Sequence, residues 1–132
     1  MAEEALVMTK ETLTKEMIQA GAELTRRLDA AGLVVSASFW LYIPEANLWR
    51  LLIVSPEVST AGPKKVYQKI QSVLPQIPEI ALQDISVVEQ TNPLVSLLRT
   101  AVRTGEGISG IRFSKNTING HFIEDVYIYR MS

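Results

Sequence analysis

Ile111-Arg112-Phe113-Ser114-Lys115-Asn116-Thr117-Ile118-Asn119-Gly120-His121-Phe122-Ile123-Glu124-Asp125-Val126-Tyr127-Ile128-Tyr129 is the stretch whose reading decides the fold. Apolar and polar residues alternate on both sides of Asn119-Gly120, the period of a strand whose successive side chains point to opposite faces. Asn-Gly is the strongest short hairpin signal, because both central positions of the favoured turn need positive φ. A two-residue loop then pairs Ile118 with His121, Thr117 with Phe122, Lys115 with Glu124, Phe113 with Val126 and Ile111 with Ile128. This register puts Ile111, Phe113, Phe122, Val126 and Ile128 on a face expected to join the core, with a Lys115–Glu124 ion pair. The other face is mixed and aromatic: Arg112 opposite Tyr127, Ser114 opposite Asp125, with Ile118, His121, Ile123 and Tyr129 nearby.

A second hairpin is expected nearer the N-terminus. Leu33 to Ile43 alternates, Pro44-Glu45-Ala46-Asn47 is a turn, and Leu48 to Ser55 returns, so that Tyr42 faces Trp49 and Leu41 faces Arg50. Trp40, Tyr42, Trp49, Leu51 and Ile53 gather on one face, and the opposite face is also apolar, so both must be covered. Three helices are available. Thr14 to Ala31 carries Met17, Gly21, Leu24, Leu28 and Ala31 at helical spacing, and Gly32 suits the position just past its end. Pro63 opens a second helix with the stripe Val66, Tyr67, Ile70, Val73 and Leu74, ending before Pro75. Asn92-Pro93 caps a third, with Leu94, Leu97, Leu98, Ala101 and Val102 as its stripe and Gly105 closing it. Leu82 to Gln90 reads as a strand around Ile85, Val87 and Val88. The order α-β-β-α-β-α-β-β predicts an α+β fold: a single mixed β-sheet of about five strands, including two hairpins, with three helices. Residues 1–132 read as one domain, with 1–12 expected to fray. The strand order cannot be read from the pattern.

Composition excludes several classes of activity. The chain has 132 residues, 47% hydrophobic and 20% charged, which is globular rather than disordered. Its formal net charge of −1 gives no global pull toward nucleic acid or anionic membrane. With no cysteine there is no disulfide, thiolate metal site or thiol nucleophile. Met1-Ala2-Glu3-Glu4 lacks the basic and apolar regions of a signal peptide, and no apolar run approaches the roughly 20 residues that span a bilayer. The expected location is the cytoplasm, without membrane contact.

The motifs that suggest chemistry lose force in context. Gly105-Glu106-Gly107-Ile108-Ser109-Gly110 matches the dinucleotide fingerprint in letters, but that motif follows a strand and opens a helix, the reverse of the order here. His121 is the single histidine. It sits several rungs from Ser114 and Asp125 on the hairpin, roughly 13 Å at about 3.3 Å per residue, too far for a triad. Glu124 and Asp125 point to opposite faces and cannot jointly hold a metal ion. Neither a catalytic set, nor a metal site, nor a cofactor is expected. Arg112, Asp125, Tyr127 and Tyr129 form a polar aromatic group suited to a partner or to a plain cross-strand ladder. Lys64 and Lys65 break a local rule, because two cations in a helix's first turn oppose the macrodipole. With Arg99, Arg103 and Arg112 they are candidates for binding an anion.

Phe39-Trp40-Leu41-Tyr42, Trp49-Arg50-Leu51, Ser55-Pro56-Glu57, Gly62-Pro63-Lys64-Lys65, Gly107-Ile108-Ser109-Gly110-Ile111-Arg112-Phe113 and Phe122-Ile123-Glu124-Asp125-Val126-Tyr127-Ile128-Tyr129 together resemble a family of small bacterial proteins of unknown function. The resemblance covers nearly the whole chain. It implies a bacterial, single-domain, intracellular protein and no particular activity. The expected function is a non-catalytic interaction or regulatory protein that self-associates as a homodimer or binds a protein partner. Trp40, Tyr42, Trp49, Asp125, Tyr127 and Tyr129 are its expected surface. The alternative is a module for an anionic ligand or nucleic acid, through Lys64, Lys65, Arg99, Arg103 and Arg112. An enzyme is the third reading.

Overall fold

The structure, a computed structural model, describes residues 10–132. It is α+β, with one mixed five-stranded sheet in the order β3-β2-β1-β5-β4. Helix α1 spans Lys15–Ala30, β1 Ala37–Ile43, β2 Leu48–Val54, the one-turn helix α2 Glu57–Thr60, α3 Pro63–Val73, β3 Ile85–Val88, α4 Pro93–Ala101, β4 Ile111–Ile118 and β5 His121–Met131. The one-turn helix at Glu57–Thr60 is additional to the three helices expected. Fraying of residues 1–9 lies outside the described residues. Residues 10–12 are tied down where the Trp49 amide donates to the Lys10 carbonyl at 2.7 Å.

Caps set the helix starts. Thr14 Oγ1 accepts from the Met17 amide at 3.1 Å, and Asn92 Oδ1 accepts from the Leu94 and Val95 amides at 2.9 and 3.4 Å. These side chains satisfy N–H groups that no helical carbonyl reaches. Helix α4 stops at Ala101, four residues before Gly105. The chain there turns extended at Val102, and the Thr104 amide donates to the Met131 carbonyl at 3.0 Å. That pairing with the end of β5 replaces further helical turns.

Both hairpins take the expected register. Tyr42 pairs with Trp49 and Leu41 with Arg50; Ile118 pairs with His121, Thr117 with Phe122, Phe113 with Val126 and Ile111 with Ile128. Asn119 and Gly120 adopt φ of 48° and 81°, the positive values that turn requires. The first strand is shorter than expected: residues 33–36 form no ladder, and β1 begins at Ala37. Strand β3 runs parallel to β2, with α3 in the crossover between them.

The sheet is covered unequally. On one side α1 and α3 pack on Trp40, Trp49, Leu51, Ile53, Ile85 and Tyr129 through Leu24, Leu28, Val66 and Ile70. On the other side α4 packs Val95 and Leu98 on Ala37, Phe39, Leu52, Val54, Val126 and Ile128. The chain passes there from β3 at one edge to β4 at the other. A helix of 9 residues is about 14 Å long at 1.5 Å per residue. Five strands at about 4.8 Å spacing make a sheet about 19 Å wide. One helix therefore leaves part of that face uncovered, and Leu41, Ile111 and Phe113 are only partly buried. Phe113, expected to be core, is half-exposed because β4 is the edge strand.

Candidate interaction surface

Two irregularities redistribute the side chains that alternation assigns. The first is at Lys115, which takes φ of 51°. The Lys115–Glu124 rung is missing from the ladder, and no ion pair joins those two residues. Strand β5 pairs with β1 only from Val126 onward, so the hairpin tip is a two-stranded ribbon free of the sheet. Beyond Lys115 the ribbon turns over. Ile123, expected on the mixed face, is buried against the α4 cluster with Ile118 beside it. Phe122, expected in the core, is 60% exposed.

The second irregularity is a bulge in β5. Ser38 pairs with Arg130 but Phe39 pairs with Ile128, leaving Tyr129 as the extra residue. Tyr129 and Arg130 thus both lie on the α1 side, where strict alternation would separate them. Arg130, nearly buried, holds Asp29 of α1 through two hydrogen bonds of 2.9 and 2.8 Å. It also donates to the Val35 carbonyl at 3.1 Å. This clamp ties the end of α1 and the entry to β1 onto the last strand, and the alternation gives no sign of it.

The expected aromatic surface is mostly interior. Trp40 and Tyr129 are fully buried and Trp49 nearly so. Trp40 Nε1 donates to the Met17 carbonyl at 3.2 Å and to the Tyr129 hydroxyl at 3.0 Å. Tyr129 Oη donates to the Ile18 carbonyl at 2.6 Å. Burial pushes the pKa of that hydroxyl up, so it remains a neutral donor. A Cβ on Gly21 would lie 2.3 Å from this oxygen, so only glycine lets the ring reach the helix backbone.

At the open end of the same face, Arg112 grips Asp125 in a bidentate pair of 2.9 and 2.8 Å. Ser114 Oγ donates to Asp125 Oδ1 at 2.8 Å. The Arg112 guanidinium lies 5.5 Å from the Trp49 ring centre, and Tyr42 meets Trp49 at 5.6 Å. Burial disfavours the charged carboxylate of Asp125, but the Arg112 and Ser114 hydrogen bonds outweigh it and hold the carboxyl below its ordinary 3.8. Tyr42, Asp125 and Tyr127 are half-buried. The Arg112 guanidinium and the Ser114 hydroxyl thus converge on the Asp125 carboxylate.

The basic residues do not converge. Lys64 and Lys65 stand exposed in the first turn of α3, on the α1 side of the sheet. Arg99 belongs to α4 on the opposite side, its Nε donating to the Ser132 carbonyl at 3.1 Å. Arg103 follows that helix, and Arg112 is engaged by Asp125. His121 Nδ1 lies 3.1 Å from the Asn119 carbonyl, within the turn. Among the described residues, no three His, Asp or Glu side chains cluster as metal ligands would. No helix among them is long and apolar enough to cross a membrane.

What the ribbon and α4 do form is an open apolar groove of about 630 Å³. Leu94 and Leu97 of α4 and Phe122 and Ile123 of β5 line it, and none of its lining residues is Asp, Glu, Lys or Arg. Asn119 Nδ2 donates to Thr100 Oγ1 at 3.1 Å, joining the hairpin turn to the last turn of α4. One signal for this groove was present in the sequence. Leu94, Val95, Leu97 and Leu98 span more of a helix than one buried stripe needs. Val95 and Leu98 go into the core, which leaves Leu94 and Leu97 for something else.

No protein-family model matches this chain, and neither a curated protein nor a solved structure does.

Proposed function

We propose that this chain is a non-catalytic interaction protein of the cytoplasm that associates with itself. The observation that carries the reading is the unequal cover of the sheet: two helices close one face, while one short helix leaves an uncharged apolar groove open on the other. Exposed apolar surface of this kind, rimmed by polar groups, marks interaction sites. The dispersal of the basic residues supports this reading over capture of an anion. The distance between His121 at the hairpin tip and the Ser114–Asp125 rung supports it over hydrolysis. Light scattering coupled to size-exclusion chromatography over a concentration series tests it. The expected result is a mass rising from that of one chain toward that of two. A mass that stays at one chain throughout refutes it.

A further inference from the structure

We propose that the groove between α4 and the hairpin tip is the two-fold interface of a homodimer, with Phe122 of each protomer seated in the groove of the other. The inference rests on the self-association reading and names its surface. A two-fold interface needs one patch to carry both the protruding and the receiving parts. Phe122 supplies the protruding part: it is 60% exposed and stands on the lip of the groove it would fill in a partner. Leu94 and Leu97 supply the receiving part, and a groove of about 630 Å³ admits a phenyl ring.

The lining disfavours charged occupants and is compatible with a second copy. With no Asp, Glu, Lys or Arg in its lining, the groove offers no permanent counter-charge to an acidic or basic segment, which would lose its hydration on entering. An uncharged surface is complementary to another like it, and a net charge of −1 per chain sets up no long-range repulsion between copies. Among the described residues the exposed large apolar side chains are Phe122 and Val34. The Val34 amide donates to Glu57 Oε2 at 3.0 Å, and its surroundings include Asp29, Glu106 and Arg130. Val34 therefore sits in a charged setting unlike the groove, and Phe122 is the side chain that matches it. Asn119, Thr100 and His121 supply the polar rim that interface cores carry.

The test is sedimentation equilibrium of the full chain as wild type, Phe122→Ser, Ser96→Arg and Val34→Ser, with circular dichroism to confirm each fold. Phe122, Ser96 and Val34 are all exposed, and Ser96 lines the groove. A dimeric wild type is expected, with the dissociation constant raised at least about 30-fold by Phe122→Ser and by Ser96→Arg, as a central anchor predicts. Val34→Ser should leave it unchanged. A dimeric wild type whose constant is untouched by Phe122→Ser and Ser96→Arg overturns the assigned surface and leaves self-association standing. Weakening by Val34→Ser alone moves the interface to the α1 end and likewise overturns it. A wild type that remains monomeric to about 1 mM overturns both, including the case in which the groove holds a small apolar molecule instead.

Discussion

On the α1/α3 face of the sheet, Trp40, Trp49 and Tyr129 are sealed, and the polar side-chain atoms of Trp40 and Tyr129 are hydrogen-bonded to helix carbonyls and to each other. On the α4 face, Leu94, Leu97 and Phe113 are half-exposed and Phe122 stands in solvent. Both faces are built from the same alternating strands, so the contrast comes from what covers them. Helices of 16 and 11 residues give about 40 Å of cylinder on the first, against about 14 Å on the second. The aromatic side chains that suggest an interface are the ones that the longer helices bury. The surface left open belongs to leucines and a phenylalanine that suggest a core. Aromatic composition alone does not separate interface from interior; the length of helix available to cover each face does.

Truncating one aromatic on each face separates the two most strongly. Trp40→Ala should cost about 3–5 kcal/mol of stability as a fully buried aromatic, whereas Phe113→Ala on the half-open face should cost only about 1 kcal/mol. Urea unfolding of the two variants measures the difference. Equal losses would mean that the faces are equally closed.

Next is Gly21→Ala. In the middle of a helix this change ordinarily stabilises by about 0.5–1 kcal/mol. Here the new methyl would lie 2.3 Å from the Tyr129 hydroxyl, so the sign should invert, with a loss of about 1–3 kcal/mol from overpacking. A melting temperature that rises would show that Tyr129 does not reach the α1 backbone.

The smallest effect concerns Asp125, whose folded-state pKa lies below its ordinary value. A depressed carboxyl contributes stability above the unfolded value and loses it as pH falls through the folded value. Wild type should therefore exceed Asp125→Asn in stability at neutral pH, and the two should converge as pH falls through the folded-state value. Urea midpoints at pH 7 and at acid pH check it. The gap should be modest, because the Arg112 side chain is 46% exposed. Parallel curves down to acid pH would dissociate Asp125 from the pair.

Local rules made most of the architecture legible. Asn119-Gly120 determines the last hairpin register, Pro44 to Asn47 the first, and Thr14 and Asn92 two helix starts, because turns and caps depend on a few neighbouring residues. Alternation failed where a single residue changes the count. Positive φ at Lys115 exchanged Phe122 for Ile123 on the α4 side, and the bulge at Tyr129 brought Arg130 under α1. Neither Lys115 nor Tyr129 is a glycine or asparagine that would announce the irregularity. Only the α4 wall of the groove was legible, in Leu94 and Leu97; the other wall depends on the ribbon turning over. The separation of Lys64 and Lys65 from Arg99 and Arg103 follows from α3 and α4 lying on opposite faces, which depends on strand order and not on any local signal.

In the proposed dimer, the α4 side is where the molecule meets another copy of itself. Hydrogen–deuterium exchange on the wild-type chain at low and high concentration reads out this contact. Amides in α4 and in the hairpin tip from Ile118 to Ile123 should gain protection as concentration rises, while those of α1 and α3 should not change. Protection that is independent of concentration, or gained on α1 and α3 instead, would contradict it.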